Sequence, residues 1–526
     1  MHTRFPFGPI PKRLHENLLN LTTNTKGPGV HEAERQEITN TFSGEVIGSV
    51  LLGAEEDVTR AFDLARAAQR RWAETPFSQR QEIFRDFHDR VYKNRELMMD
   101  IVQMETGKNR LSALDEVLDV LSNARYYANK MPDLMSEKKR PGALPGFTRT
   151  VQQQVPKGVV GQITPWNYPL ALGVSDAIAA LLAGNGVVAK PDSSTPFSML
   201  IAVLFLYESG LPRDLFQVVT GSGRIVGSAI ADHCDYLMFT GSTATGKILG
   251  RQVGERLVGY SAELGGKNPL IVTNDANLDV VERELPSACF SNSGQLCVSI
   301  ERIYVEEGVY DEVVRRFQRA VSKMKIGAGD AWDIDMGSLI NETQFNTVNK
   351  FVDEARAAGA KVLCGGKPRP DLGPYFYEPT VLVDVPEGTP VLTEEVFGPV
   401  VFIQKVSSTE EAIQKANDTS YGLNASVFAE SGTGRKVASR LLAGGVGIND
   451  GYAATWASVA VPLGGMKQSG MARRHGPEGL LKYTETRNVA EQRLLSMRGP
   501  KNAPRKLYAN LMANALQMGK KLRFLP

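Results

Sequence analysis

Apolar residues first recur at helical spacing between Glu55 and Lys108, at Val58, Phe62, Ala65, Ala68 and Trp72 and again at Ile83, Phe87 and Val91. This spacing predicts amphipathic helices that start near Asp57 and Ser78. A Pro/Gly break at 141–145 precedes an alternating stretch, 148–155, that reads as a strand leaving the body. Beyond Pro156 short apolar runs alternate with helical stretches. The runs are 159–163, 186–189, 216–219, 236–239 and 270–272, then 302–305, 361–363, 400–402, 425–428 and 445–449. Buried strands alternating with helices imply parallel α/β sheets, and two such sets imply two α/β lobes that meet between Glu263 and Cys297.

The two ends differ from this body. Residues 1–40 are polar and punctuated by Pro and Gly, and read as an arm over the body. After Glu491 there are no acids, while Arg498, Lys501, Arg505, Lys506, Lys520, Lys521 and Arg523 accompany Leu507, Leu511, Leu516 and Met518. A basic amphipathic helix of this kind can lie on a membrane surface. Packing on the body or on a neighbouring subunit is the favoured reading, because Asn510, Asn514 and Gln517 interrupt the apolar spacing.

Composition narrows the function classes. A chain of 526 residues can bury several cores, and a formal charge of +2, with acids and bases interleaved, gives no reason to expect nucleic acid. The first thirteen residues lack the apolar run of a secretory leader, and no stretch approaches the roughly eighteen apolar residues of a membrane span. The four cysteines, Cys234, Cys289, Cys297 and Cys364, form no CxxC pair and show no metal-ligand spacing with the six histidines. Free thiols, no metal and a cytoplasmic location are therefore expected.

The candidate chemistry centres on Phe290-Ser291-Asn292-Ser293-Gly294-Gln295-Leu296-Cys297, which places a thiol after a small turn, and on Glu263-Leu264-Gly265-Gly266-Lys267 upstream. With these motifs the chain resembles the aldehyde dehydrogenase superfamily from about Glu37 to Arg487. The resemblance implies an α/β fold with a Rossmann-like cofactor domain, an α/β catalytic domain and a small β oligomerisation flap. The expected boundaries are an arm at 1–40, a cofactor-binding domain at 41–139 and 157–264, a flap at 140–156 and 483–495, a catalytic domain at 265–482 and a basic tail at 496–526. A homodimer or homotetramer follows from the same likeness.

The resemblance assigns the nucleophile to Cys297, whereas Ala288-Cys289-Phe290 reads as helix core. Attack on an aldehyde gives a thiohemiacetal, loss of hydride to a nicotinamide gives a thioester, and water must then cleave it. Glu263 matches the family's general base. Members that pass the acyl group to coenzyme A lack this Glu, so hydrolysis to the free acid is implied. Pro165-Trp166-Asn167 matches the motif whose Asn side chain, with the backbone N–H of Cys297, forms the oxyanion hole.

Phe239-Thr240-Gly241-Ser242-Thr243-Ala244-Thr245-Gly246 matches the family's pyrophosphate turn, with Gly221 in the neighbouring loop. Thr164, Pro165, Trp166, Leu264, Glu395 and Phe397 are implied on the nicotinamide side. Lys190 resembles the lysine of the adenosine ribose. NAD-preferring members carry Glu three residues later, where this chain has Ser193, so NADP, or dual use with NAD, is expected.

For the substrate the chain resembles most a bacterial branch described as succinate-semialdehyde dehydrogenases, and succinate semialdehyde is the first expectation. The better understood enzymes of that activity bind the far carboxylate with two arginines, at positions where this chain has Ser175 and Ser291. Tyr168, Tyr452 and Trp456 would make the pocket aromatic, which suits an aromatic or long-chain aliphatic aldehyde. Arg473 or Arg474 are the candidate substitutes for the missing cation. A catalytically silent protein on this fold is the remaining alternative.

Overall fold

The computed structural model describes residues 8–25, 34–143, 148–493, 496 and 498–520. Of the expected features, Met1–Phe7 of the arm, Leu144 and Pro145 of the Pro/Gly break, and Lys521 and Arg523 of the tail lie outside the described residues.

Two sheets dominate. One has six strands in the order Gly470–Met471, Gly259–Glu263, Tyr236–Thr240, Val159–Ile163, Gly186–Lys190 and Phe216–Val218, parallel except at the short Gly470–Met471 edge. The other has seven, in the order Lys361–Cys364, Thr380–Val383, Val400–Val406, Ile300–Glu306, Asn268–Val272, Asn424–Phe428 and Gly445–Ile448. Its Lys361–Cys364 edge is antiparallel, contrary to the all-parallel expectation. These strands read as consecutive apolar runs because helices cover both faces. Val159–Ile163 and Gly186–Lys190, for example, are buried at every position.

The first helices begin earlier than the apolar spacing indicated. The helix Glu55–Glu74 is preceded by Ala54, whose N–H donates to the Asp57 carboxylate at 2.9 Å, so Asp57 caps from inside the first turn. The next helix, Phe77–Lys93, follows Pro76 rather than starting at Ser78. The helix Arg110–Met135 then buries Val117, Val120 and Ala124 against the helix Ala171–Leu182.

A third, three-stranded sheet pairs Thr484–Gln492 with Thr148–Pro156 and the latter with Lys138–Arg140, all antiparallel. Residues 485–492 of its outer strand are exposed along their whole length. The strands Asn268–Val272 and Gly259–Glu263 are consecutive in the chain but lie in different large sheets, so the turn 264–267 joins the two lobes. The mixed α/β architecture with two mainly parallel sheets is the fold class the patterning implied.

Candidate active site

Cys297 follows a turn whose backbone is unusual. Asn292 (φ 50°), Ser293 (φ 57°) and Gly294 (φ 69°) are three successive left-handed residues, two of them with side chains. Each non-glycine residue in that region costs about 1 kcal/mol and persists only where the surroundings hold it. They do so here. The Asn292 amide donates to the carbonyls of Asn167 (3.1 Å) and Gln295 (2.9 Å), its N–H donates to Ser112 Oγ (3.2 Å), Ser293 Oγ donates to Gly337 O (3.1 Å), and Gln295 Oε1 accepts the Ile340 N–H (3.0 Å). At Gly294 a Cβ would strike the Gly398 carbonyl, so only glycine fits. Downstream, Asn268 donates to the carbonyls of Cys297 (2.8 Å) and Ser299 (2.7 Å).

Asn167 is buried beside this turn, and one of its two amide protons goes to the Gln295 carbonyl at 3.1 Å. Its own carbonyl is held by Asn292 and by the buried Lys108 ammonium (2.7 Å). Lys108 is paired in turn with buried Glu116, which accepts the N–H groups of Leu170 (2.8 Å) and Ala171 (3.0 Å) at the start of the following helix. A buried ion pair is a poor source of stability but a good ruler. This one fixes the 165–171 segment against the Arg110–Met135 helix.

Glu263 ends its strand with its carboxylate beside Gly464, where a Cβ would come within 2.9 Å of it. Burial pushes its carboxyl up to about 7, with Arg474 and Lys482 pulling the other way. Burial likewise pushes the Cys297 thiol up to about 12, and the nearby carboxylates of Glu263 and Glu395 add to the shift. Glu395 itself is pushed up to about 8 by burial, and its carboxylate accepts the Gly266 N–H at 2.8 Å. Near neutral pH the thiol is therefore protonated, Glu395 is mostly protonated and Glu263 stands at its midpoint.

Two cavities reach the thiol and share Asn167 and Cys297 in their walls. The first, about 150 Å³, is lined by Tyr168, Leu172, Leu296, Tyr452, Trp456 and Val459, and by Asp115, Leu118, Asp119 and Ser122 along one face of the Arg110–Met135 helix. Tyr168 and Trp456 thus stand in its wall. Ser175 does not: its hydroxyl donates to Asp119 at 2.6 Å from behind the lining. Nor does Ser291, whose hydroxyl donates to the Ser287 carbonyl at 2.7 Å. Neither arginine reaches this cavity. Arg474 is buried in an ion pair with Asp176 and lies over the Trp456 ring at 5.0 Å, while Arg473 donates to the carbonyls of Gly465 (3.0 Å) and Ala472 (2.7 Å). Among the described lining residues there is no Lys or Arg.

The second cavity, about 230 Å³, is lined by Pro165, Trp166, Thr240, Gly241, Ser242, Glu263, Leu264, Gly265, Glu395 and Phe397. Ser242 caps the helix Thr243–Glu255, accepting the Thr245 N–H at 3.3 Å. The first N–H groups of such a helix have no partner within it and suit a phosphate. A Cβ at Gly265 would overlap the Glu395 carboxylate, and one at Gly246 the Leu264 side chain, so glycine is what lets these side chains pack against the backbone here. Trp166 and Phe397 meet edge to face at 5.4 Å. A helix end with open N–H groups, a carboxylate and apolar walls fit a dinucleotide. Thr164, Lys190, Ser193 and Gly221 lie outside this cavity. The Thr164 N–H donates to the Lys190 carbonyl (3.1 Å), Lys190 Nζ donates to the Pro191 carbonyl (2.9 Å), and Ser193 Oγ donates to the Gly221 carbonyl (3.1 Å). Asp192 accepts the N–H of Ser194 at 2.9 Å.

Sequence reasoning did not single out Asn292, Lys108, Glu116 or the buried pair Lys267–Glu301, whose carboxylate accepts the N–H groups of Val396 and Phe397. Lys267 had a signal in its place in the Glu263 motif, and Asn292 in its place in the turn before Cys297. Among the described residues no group of His, Cys, Asp and Glu could hold a metal, and no helix is long and apolar enough to cross a membrane.

The family model of the aldehyde dehydrogenase family matches residues 30–489. A relative from Mycolicibacterium smegmatis, provisionally named succinate-semialdehyde dehydrogenase [NADP(+)], is 52% identical over 93% of this chain and 95% of its own. A Mycobacterium tuberculosis protein with the same provisional name, numbered 2, is 51% identical over 89% of this chain and 90% of its own. Among solved structures, an NADP-dependent enzyme of E. coli superposes with a TM-score of 0.84 at 33% identity, covering 87% of this chain and 95% of that one. The NAD+ complex of an aldehyde dehydrogenase from Bacillus cereus does so with a TM-score of 0.85 at 33% identity, covering 93% and 100%.

Proposed function

This chain belongs to the aldehyde dehydrogenase family and is an NAD(P)-dependent oxidoreductase, and from that premise we propose that it oxidises an aldehyde to the free carboxylic acid through a thioester on Cys297. The observation that carries this reading is the meeting of two cavities at one thiol, with Glu263 in the wall of one of them.

At rest the thiol is protonated, because burial holds it near 12. Glu263, poised near 7, takes that proton as the sulfur attacks the carbonyl carbon from the aromatic cavity. The Asn167 amide and the Cys297 N–H donate to the oxygen that becomes negative, where a single preorganised donor contributes about 3 kcal/mol. NAD(P), when bound, accepts the hydride that the substrate carbon loses. Once the thioester has formed, Glu263 releases its proton to solvent, removes a proton from the water that cleaves the thioester, and passes it to the departing Cys297 sulfur. Thr164, Pro165, Trp166, Lys190, Ser193, Gly221, Gly241, Ser242, Gly246, Leu264, Glu395 and Phe397 are the proposed cofactor contacts.

NADP is the proposed preferred cofactor. The neutral Ser193 near Lys190 supports this, as does Asp192, which is turned to the Ser194 N–H, and so do the names of the relatives. The relatives also support succinate semialdehyde as the substrate. The cavity itself supports a second reading, a neutral aromatic or long-chain aldehyde, because its wall is apolar apart from Asp115, Asp119 and a few hydroxyls and amides. A buried carboxylate without a partner costs several kcal/mol. Reduced-cofactor formation with NAD and NADP against succinate semialdehyde, benzaldehyde and decanal separates the two. A kcat/KM at least about tenfold higher for the semialdehyde supports the first reading, and the reverse order the second.

We further propose that residues 41–139 with 157–264 bind the cofactor, that 265–482 carry the nucleophile, and that the segments 140–156 and 483–495 join subunits into a dimer or tetramer. The exposed outer strand supports the last point. Four free cysteines support a cytoplasmic location.

A further inference from the structure

From the C-terminal segment beyond the family match we infer that this enzyme docks on anionic lipid bilayers through the helix Arg505–Gly519. Leu507, Leu511, Leu516 and Met518 are 65%, 63%, 59% and 82% exposed. At 3.6 residues per turn Leu507, Leu511 and Met518 fall within about 40° of one another, Leu516 falls on the opposite side, and the half-buried Tyr508 and Met512 lie between them.

Tyr508 anchors the helix to the turn before it, donating to the Ser496 carbonyl at 3.1 Å. Leu507, Leu511 and Met518 are left open, and single exposed leucines are ordinary whereas a row of them is not. Its flanks carry one sign of charge only. From residue 492 to the end the sequence has no acid, while Arg498, Lys501, Arg505, Lys506 and Lys520 surround the helix. An exposed apolar row on a segment whose charges are all basic is complementary to acyl chains beneath anionic headgroups, where each basic residue near the surface strengthens binding severalfold. Pairing of two such tails would set cation against cation. A polyanion without an apolar phase would leave the leucines in water.

The test is co-sedimentation of the full chain with vesicles of phosphatidylcholine alone and of equal parts phosphatidylcholine and phosphatidylglycerol at physiological salt. The expected result is at least about tenfold more protein on the anionic vesicles. The double variant Leu507→Glu/Leu511→Glu should fall to the level of the neutral vesicles while keeping its turnover of a water-soluble aldehyde, which shows that the body is folded. Equal binding to both vesicles, or none, overturns the inference. So does undiminished binding of the double variant, which would mean that charge alone acts. Loss of oligomer in the double variant by sedimentation velocity, without vesicle binding by the parent, assigns the row to a second copy of the chain and overturns it as well.

Discussion

Replacing Glu263 by Gln keeps the shape of the side chain and removes its proton chemistry, so it separates the two halves of the proposed reaction. Burial places the carboxyl near 7, against the pull of Arg474 and Lys482. Its active form as a base is the ionised one. The ionised fraction rises from about one tenth near pH 6 to about nine tenths near pH 8, so the rate of thioester hydrolysis should climb about tenfold over that range and then level off. Loss of a general base costs about a factor of 10² to 10⁴, or about 3–5 kcal/mol. In rapid mixing, the parent should show turnover that follows this profile. Glu263→Gln should form about one equivalent of reduced cofactor per site and then stall, with a slow phase that no longer depends on pH around 7. Because Glu263 also takes the thiol proton, the first equivalent of reduced cofactor forms more slowly as well, but the stall remains. Steady turnover within about threefold of the parent, or an unchanged pH slope, refutes the assignment. Arg474→Met should move the midpoint of the parent profile upward, since the Arg474 charge favours ionised Glu263.

Cys297→Ala should lose turnover by more than about 10³-fold while still binding reduced cofactor, read by its fluorescence. Ser193→Glu should shift the ratio of kcat/KM for NADP over NAD towards NAD by about tenfold or more, through repulsion of the 2′-phosphate; an unchanged ratio would remove Ser193 from the cofactor site. Asn292→Ala deletes two hydrogen bonds and leaves a β-carbon in the left-handed region without its polar compensation, at a cost of about 2–3 kcal/mol. The expected readouts are a lower melting temperature and a kcat reduced by about tenfold through displacement of Asn167.

Much of the sheet architecture was legible because buried parallel strands announce themselves as apolar runs. The run at 159–163 is the strand Val159–Ile163, and those at 216–219 and 445–449 each end one residue early in the structure. The strand Gly259–Glu263 was not legible, because Gly-Tyr-Ser-Ala-Glu carries neither alternation nor an apolar run and is held by its neighbour Tyr236–Thr240. The start of the first long helix was misread for a local reason. Asp57 caps as the third residue of the helix, a role that the preference of Asp for the cap position itself conceals. Around the site, motif likeness brought out the thiol, the carboxylate and the amide. It could not bring out the groups that hold them, because Lys108 with Glu116, or Asn292 with Asn167, become partners only through tertiary contact.

Those holding groups explain why a site so poor in resting charge can work. Three ionisable groups converge near the thiol, Cys297 itself, Glu263 and Glu395, and burial biases each towards its neutral form. Were the site wet, the carboxylates would ionise below pH 5 and their repulsion would weigh on the thiolate at every neutral pH. In the dry site the cost of charging falls on one group at a time. Glu263 can trade its proton with the thiol and then with water because its midpoint lies near neutrality. Arg474, locked to Asp176 and stacked on Trp456, supplies a fixed positive field from outside the substrate cavity. That placement also explains why Arg474 is a poor candidate for reading a substrate carboxylate. Its charge is already committed to Asp176, and drawing it into the cavity would break that buried pair and leave Lys482 alone to balance the aspartate.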